Sequence, residues 1–223
     1  MAIYQKTSEA IFLTSGYAYD DAETAAARFR GEDPGMTYSR LQNPTVAMLE
    51  ERIALIEGAE ACRVQASGMA AMTTALLCQL SAGDHIVAGR AAFGSCRWIV
   101  DNLFPRFGIE KTIVDARDNA AWEAAIRPNT KVFFFESPAN PTMDVVDLAF
   151  VCALAKRHGI TTVVDNAFAT AAFSSASFAS FAAAASALNR AHSCLCVAFQ
   201  SSRWQSAISF CRRSISSVDI PDE

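Results

Sequence analysis

The stretch Ile160-Thr161-Thr162-Val163-Val164-Asp165-Asn166 decides the fold of this chain. Its β-branched and apolar residues predict a short buried strand, and the strand ends in an acidic side chain. Ligands of open α/β sheets bind outside the carboxyl ends of the strands, so Asp165 is a candidate ligand-binding residue. An acid in this place also serves often as a helix cap or a turn former. The residue by itself does not decide between the two roles.

The sequence before this strand has the pattern of an α/β protein. Helical patterns alternate with short apolar runs, and Gly or Pro marks most junctions. The predicted helices cover residues 44–57, 68–80, 95–104, 118–126 and 145–158, and the predicted strands cover residues 61–65, 85–88, 109–114, 131–135 and 160–164. Asn43 is expected to cap the first of these helices. Continuously apolar strands between helices predict a mainly parallel sheet that is covered on both faces.

The composition changes after Asn166. No glycine follows Gly159, and residues 167–188 are almost all Ala, Ser and Phe. A membrane helix is disfavoured there, because Ala and Ser contribute little free energy of insertion. We interpret the chain as an N-terminal arm and loop (1–45), a partial α/β domain (46–170) and an aberrant tail (171–223). A frameshift or assembly error near residue 170 is the simplest account of that tail.

The overall composition restricts the class of function. The 223 residues carry a net charge of −4, which gives no reason to expect nucleic acid or an anionic membrane as a partner. The first thirty residues lack the pattern of a secretory signal. Seven scattered cysteines show no paired spacing for a zinc site and are expected to be reduced thiols. These features predict a soluble cytoplasmic protein without a metal centre.

Five short motifs occur in a fixed order along the chain. They are Tyr38-Ser39-Arg40-Leu41-Gln42-Asn43-Pro44-Thr45, Ala66-Ser67-Gly68-Met69-Ala70-Ala71, Phe93-Gly94-Ser95-Cys96, Glu136-Ser137-Pro138-Ala139-Asn140-Pro141-Thr142 and Val164-Asp165-Asn166. Over roughly residues 9–170 they resemble the Cys/Met-metabolism family of enzymes that depend on pyridoxal 5'-phosphate (PLP). Within it, the run 93–98 most resembles the O-succinylhomoserine sulfhydrylases. The resemblance implies the three-layer α/β/α fold of the PLP-dependent transferases (fold type I), with a mainly parallel sheet that is incomplete on its C-terminal side.

The resemblance implies PLP as the cofactor and assigns its phosphate to two segments. Ser67, Gly68 and Met69 lie between a strand and a helix, where backbone N–H groups and the positive helix end suit a phosphate. Tyr38 and Arg40 offer a hydroxyl and a fork of donors. In the family this pair reaches into a neighbouring subunit, which implies a homo-oligomer, typically a tetramer. By themselves, the two segments could equally be an ordinary strand–helix turn and a solvated arginine.

Three further residues are assigned to the cofactor's ring by the same resemblance. Asp165 would keep the pyridine nitrogen protonated, and Asn140 would hydrogen-bond near the 3-oxygen. Phe93 occupies the position where many members stack a tyrosine on the ring. The alternatives are turn chemistry for Asn140 and core packing for Phe93. Cys96 is interpreted as structural, because no histidine is near it in the sequence.

The family's covalent anchor for the cofactor has no counterpart here. The chain has four lysines, and all of them precede Asp165. The family uses a lysine in a Ser-x-x-Lys setting after the acid, and a C-terminal domain that we also expect to be absent.

The resemblance implies γ-replacement on an O-acylhomoserine in methionine biosynthesis, in which O-succinylhomoserine and sulfide give homocysteine. We expect this chain to have no catalytic residue and to be defective. The alternatives are a trans-sulfuration enzyme of the cystathionine γ-synthase or γ-lyase type, and a non-catalytic remnant that binds PLP or a protein partner.

Overall fold

The computed structural model describes residues 9–57 and 59–169, together with the backbone of two strands at Ser193–Ala198 and Ile208–Ser209. The chain divides into two compact units, Met1–Ile53 and Ala54–Glu223. Within the described residues, no helix is both long and apolar enough to cross a membrane. The Ala/Ser/Phe segment that the sequence singled out lies, from residue 170 onward, outside the described residues.

The first unit contains helix α1 (Ala22–Phe29) and most of helix α2 (Pro44–Glu57). Asp21 caps α1 by accepting the backbone N–H of Thr24 at 2.7 Å. Asn43 accepts the N–H of Thr45 at 2.9 Å, so the predicted cap and bounds of α2 are confirmed. Helix α1 lies within residues 1–45, for which the sequence predicts only an arm and loop.

The second unit contains the sheet and its helices. Its elements are α3 (Gly68–Leu77), β1 (His85–Gly89), α4 (Gly94–Trp98), a π-helical turn (Ile99–Leu103), a 3-10 turn (Phe104–Phe107), β2 (Glu110–Val114), α5 (Asn119–Ala124), β3 (Thr130–Glu136), α6 (Leu148–Arg157), β4 (Thr161–Asp165), β5 (Ser193–Ala198) and β6 (Ile208–Ser209). The helix predicted over 95–104 is thus a short α-helix that continues into π and 3-10 turns.

The strands form one sheet in the order β2-β1-β3-β4-β5-β6, in which all neighbours are parallel except β5 and β6. The predicted parallel sheet is therefore confirmed. The strand predicted over 61–65 is not among its strands: within that run only Arg63 forms a bridge, and the side chain of Cys62 is buried. Conversely, the sequence pattern predicts no strand in the tail, whereas β5 pairs with β4.

Alternating side chains of the strands build a core on each face of the sheet. Ile86, Ala88, Val132, Phe134 and Val163 pack against α3 and α4 on the first face. The intervening residues pack against α5 and α6 on the second face, where Trp122 is fully buried between Phe133 and Phe135. Helices therefore cover both faces, and the three-layer α/β/α architecture is confirmed.

Candidate functional site

Two buried carboxylates lie side by side where β3 and β4 end. Glu136 and Asp165 are the last residues of these strands and are paired in register. Side chains alternate along a strand. Because Phe134 and Val163, two residues earlier, pack against α3 and α4, both carboxylates point to that face. Glu136 is 2% exposed and Asp165 is 8% exposed.

Asp165 has hydrogen-bond donors but no ion-pair partner among residues 9–57 and 59–169. Its Oδ1 accepts the N–H of Ala167 at 3.1 Å, and its Oδ2 lies 3.7 Å from the thiol of Cys96. Burial raises the pKa of Asp165, and these two hydrogen bonds oppose the rise. The turn-forming role is therefore present. That role does not explain why a carboxylate with no ion-pair partner among the described residues is buried here, since its burial costs free energy.

Glu136 ties two loops to this position. Its Oε2 accepts the N–H of Phe93 at 2.6 Å, and the N–H of Asn140 also hydrogen-bonds to its carboxylate. Burial and the neighbouring charge of Asp165 raise the pKa of Glu136 to about 7, against the lowering effect of the two N–H groups. Glu136 is not among the site residues that the sequence motifs predict. Its signal was a charged residue directly after the apolar run Val132–Phe135.

Phe93 and Cys96 occupy the start of α4, on the same face. Phe93 is the N-cap residue and is 40% exposed, which argues against the core-packing alternative. Cys96 is buried, and burial raises the pKa of its thiol far above the ordinary value, with the carboxylates of Asp165 and Glu136 adding to the rise. A thiol held in its neutral form is a poor nucleophile. The geometry therefore agrees with a structural role for Cys96.

The N-terminus of α3 provides a place for an anion. Ser67 caps the helix, and its hydroxyl oxygen accepts the N–H of Ala70 at 3.2 Å. The N–H groups of Gly68 and Met69, in the first turn, have no partner inside the helix. Helix α3 packs against one face of the sheet. Because only the short segment 78–84 joins the end of α3 to the start of β1, α3 runs antiparallel to β1. Its positive end is thus directed toward the carboxyl ends of the strands, where it suits an anionic group.

Asn140 lies half-buried in a closed loop between β3 and α6. The loop is held by the N–H of Ala139, which donates to the carbonyl of Asp144 at 2.9 Å, and by the hydroxyl of Ser137, which accepts the N–H of Val146 at 3.1 Å. These bonds show turn chemistry around Asn140. Its proposed contact with a cofactor oxygen stays a prediction.

Tyr38 and Arg40 belong to the first unit. Both are exposed, and the guanidinium carbon of Arg40 lies 5.7 Å from the centre of the Tyr38 ring. Between them, the N–H of Ser39 donates to the carbonyl of Ser15 at 2.9 Å and fixes the loop to the arm. The two side chains are therefore presented together to solvent. Their phosphate-binding role stays a prediction.

The chemistry of the second unit fits PLP. An anion site at α3 suits its phosphate, the exposed ring of Phe93 suits stacking, and the buried pair of carboxylates suits a protonated pyridine nitrogen. That nitrogen would supply the cation that the carboxylates lack among the described residues. The printed sequence contains no lysine after Asp165 that could bond the aldehyde.

Comparisons with known proteins agree with this interpretation. The sequence model of the family "Cys/Met metabolism PLP-dependent enzyme" matches residues 2–178. The chain is 49% identical over 164 residues to an O-succinylhomoserine sulfhydrylase of Pseudomonas aeruginosa, which covers 74% of this chain and 41% of that protein. It is 42% identical over 161 residues to an L-methionine gamma-lyase of Porphyromonas gingivalis, which covers 72% and 40%.

A solved structure has the same fold. It is a putative O-acetylhomoserine (thiol)-lyase of Campylobacter jejuni that carries N'-pyridoxyl-lysine-5'-monophosphate, with a TM-score of 0.71 and 36% identity over 74% of this chain and 41% of the other. The chain thus spans about two fifths of the length of the relatives it matches.

Proposed function

Because this chain belongs to the family of Cys/Met metabolism PLP-dependent enzymes, we propose that its α/β domain binds PLP without a covalent bond to the protein. One observation carries the proposal: two buried carboxylates at the ends of β3 and β4 share no cation within the described residues, and no lysine follows them in the sequence. The site therefore has groups for non-covalent contacts with the cofactor and lacks the amine that would bond it.

A residue of this chain is available for each proposed contact with PLP. The N–H groups of Gly68 and Met69 bind the phosphate, and Ser67 fixes their orientation as the helix cap. Asp165 holds a proton on the pyridine nitrogen. Phe93 stacks on the ring, and Asn140 donates to the 3-oxygen. Bound PLP supplies an electron sink for substrate carbanions.

The reaction class of the lineage is γ-replacement on an O-acylhomoserine, in which O-succinylhomoserine and sulfide give homocysteine. The identity to O-succinylhomoserine sulfhydrylase and the run Phe93–Trp98 support this assignment. The similarity to L-methionine gamma-lyases keeps a γ-lyase type of activity as the second candidate. In either reaction a base must move a proton at the substrate's Cα, and this chain offers no lysine for that step. We therefore propose that the chain is catalytically defective.

The proposed oligomer rests on two side chains of the first unit. Exposed Tyr38 and Arg40, held together on a fixed loop, are available to a phosphate in another subunit. The proposal is a homo-oligomer that shares each cofactor site between subunits, located in the cytoplasm.

Equilibrium dialysis of the purified chain against PLP, with and without borohydride, tests the proposal. We expect saturable binding that Asp165→Asn weakens, no site-specific label after borohydride, and no homocysteine from O-succinylhomoserine and sulfide. Saturable binding with a stoichiometric borohydride label would contradict non-covalent binding. A chain that does not bind PLP but forms an oligomer would instead support a remnant that binds a partner.

A further inference from the structure

We propose that Glu136 is a positioning residue of the cofactor site, which holds the Phe93 loop and the Asn140 loop beside Asp165. This inference deepens the proposed PLP binding and rests on it. Phe93 and Asn140 are 47 residues apart in the sequence, and the carboxylate of Glu136 is where backbone groups of both meet.

The contacts of Glu136 are directed at backbone rather than at side chains. Its Oε2 accepts the N–H of Phe93 at 2.6 Å, at the residue that begins α4, and the same carboxylate accepts the N–H of Asn140. Hydrogen bonds to an ionised acceptor are shorter and stronger than neutral ones. Both loops are therefore fixed at the point where each presents a side chain proposed to contact the ring.

The position of Glu136 at the end of a central strand fixes the place of its carboxylate. It ends the buried strand β3, between two paired strands, and lies in register with Asp165. The three residues proposed for the ring thus obtain their relative placement from two adjacent strand ends. A small displacement of a loop is costly for binding when the contacts must be aligned.

A structural explanation alone does not account for the choice of residue. An uncharged acceptor such as glutamine would accept a backbone N–H group there without the cost of desolvating a carboxylate. The groups that face Glu136 from the elements around it are Asp165 on β4 and Cys96 on α4, together with the two N–H groups. None of these described neighbours is a cation. A cationic ring nitrogen close by would stabilise the second negative charge beyond what the two N–H groups provide.

The variant Glu136→Gln tests the inference, with Glu123→Gln as the matched control. Glutamine keeps the size of the side chain and one acceptor oxygen but lacks the negative charge that strengthens both hydrogen bonds. Glu123 is an exposed residue of α5. Equilibrium dialysis of the full chain measures the affinity for PLP and, separately, for inorganic phosphate.

We expect Glu136→Gln to bind PLP about tenfold more weakly, the effect of about one charge-assisted hydrogen bond, and to bind inorganic phosphate as the wild type does. The difference in PLP affinity should be largest above about pH 7, where Glu136 is ionised, and should vanish at low pH, where both side chains are neutral. Equal PLP affinity for the variant and the wild type at every pH would overturn the inference while leaving the proposed function intact.

Hydrogen exchange separates the two proposals if the wild type does not bind PLP at all, an outcome that refutes the proposed function. The amides of Phe93 and Asn140 should then still exchange faster in Glu136→Gln than in Glu123→Gln. Faster exchange confined to these loops would support the positioning contact. Unchanged exchange at both amides would refute it.

Discussion

Protonation of the Glu136–Asp165 pair should make the stability of this protein depend on pH. In the folded chain, burial and the charge of Asp165 raise the pKa of Glu136 from 4.5 to about 7. An acid whose pKa is raised by folding holds an extra proton in the folded state. Its stabilising contribution is complete below about pH 4.5 and is lost as the pH rises through about 7.

The size of this effect follows from the two pKa values. One pKa unit corresponds to about 1.4 kcal/mol, so the rise from 4.5 to about 7 corresponds to a loss of about 3 kcal/mol in the free energy of unfolding. The pKa of Asp165 is also raised by burial, so its contribution has the same sign. A loss of this size is a large part of the stability of an ordinary domain.

Urea unfolding of the cofactor-free chain at about pH 5 and about pH 8 measures the effect. The wild type should be the less stable at the higher pH, and Glu136→Gln should lose most of that dependence because its amide does not titrate. The exposed variant Glu123→Gln should keep the wild-type dependence. Parallel curves for the wild type and Glu136→Gln would show that Glu136 titrates normally, and the electrostatic description of the pair would be wrong.

Three other substitutions test the scaffold around the site. Ser67→Ala removes the cap that accepts the N–H of Ala70 and should cost about 1 kcal/mol in urea unfolding while weakening phosphate binding; unchanged phosphate affinity would contradict the anion site. Trp122→Ala should cost about 3–5 kcal/mol, because it empties a fully buried position and removes the hydrogen bond from Nε1 to the carbonyl of Ala116; Trp122→Phe, which fills part of the space, should cost less. Gly89→Ala should lower the melting temperature, because its Cβ would lie 3.1 Å from that of Ala116; a melting temperature equal to that of the wild type would show that the strand end can shift.

The central strands were predictable because each is a short apolar run between helical patterns. The structure places β1, β3 and β4 within one or two residues of the predicted bounds. Buried parallel strands leave a continuous apolar signal, which depends little on tertiary detail. The strand predicted over residues 61–65 had a weaker signal, because that run contains Arg63 and Gln65, and the chain makes only a single bridge there, at Arg63. Composition shows that a run is to be buried and does not show which strand it pairs with.

The site was predictable only in part, because its chemistry depends on pairs that sequence spacing does not reveal. Asp165 is predicted from its place at a strand end, and the structure confirms that place. Glu136 gains its importance from the register of β3 with β4 and from the N–H group of a loop 43 residues away. The exposure of Phe93, which argues against core packing, is likewise a property of the fold. The role proposed for Glu136 and the exposure of Phe93 thus depend on strand register and burial, which the motifs do not reveal.

The proposal assigns binding of the cofactor and catalysis on it to different residues. Apart from Tyr38 and Arg40, the groups proposed for the phosphate and the ring lie between Ser67 and Asp165, where β3 pairs with both β1 and β4. Their placement depends on strand register and on the contacts of Glu136. Proton transfer in the family requires a lysine after the acid, and that part of the printed sequence contains none. The proposal therefore predicts that residues 9–169 contain the contacts needed for affinity for PLP, whether or not the chemistry takes place.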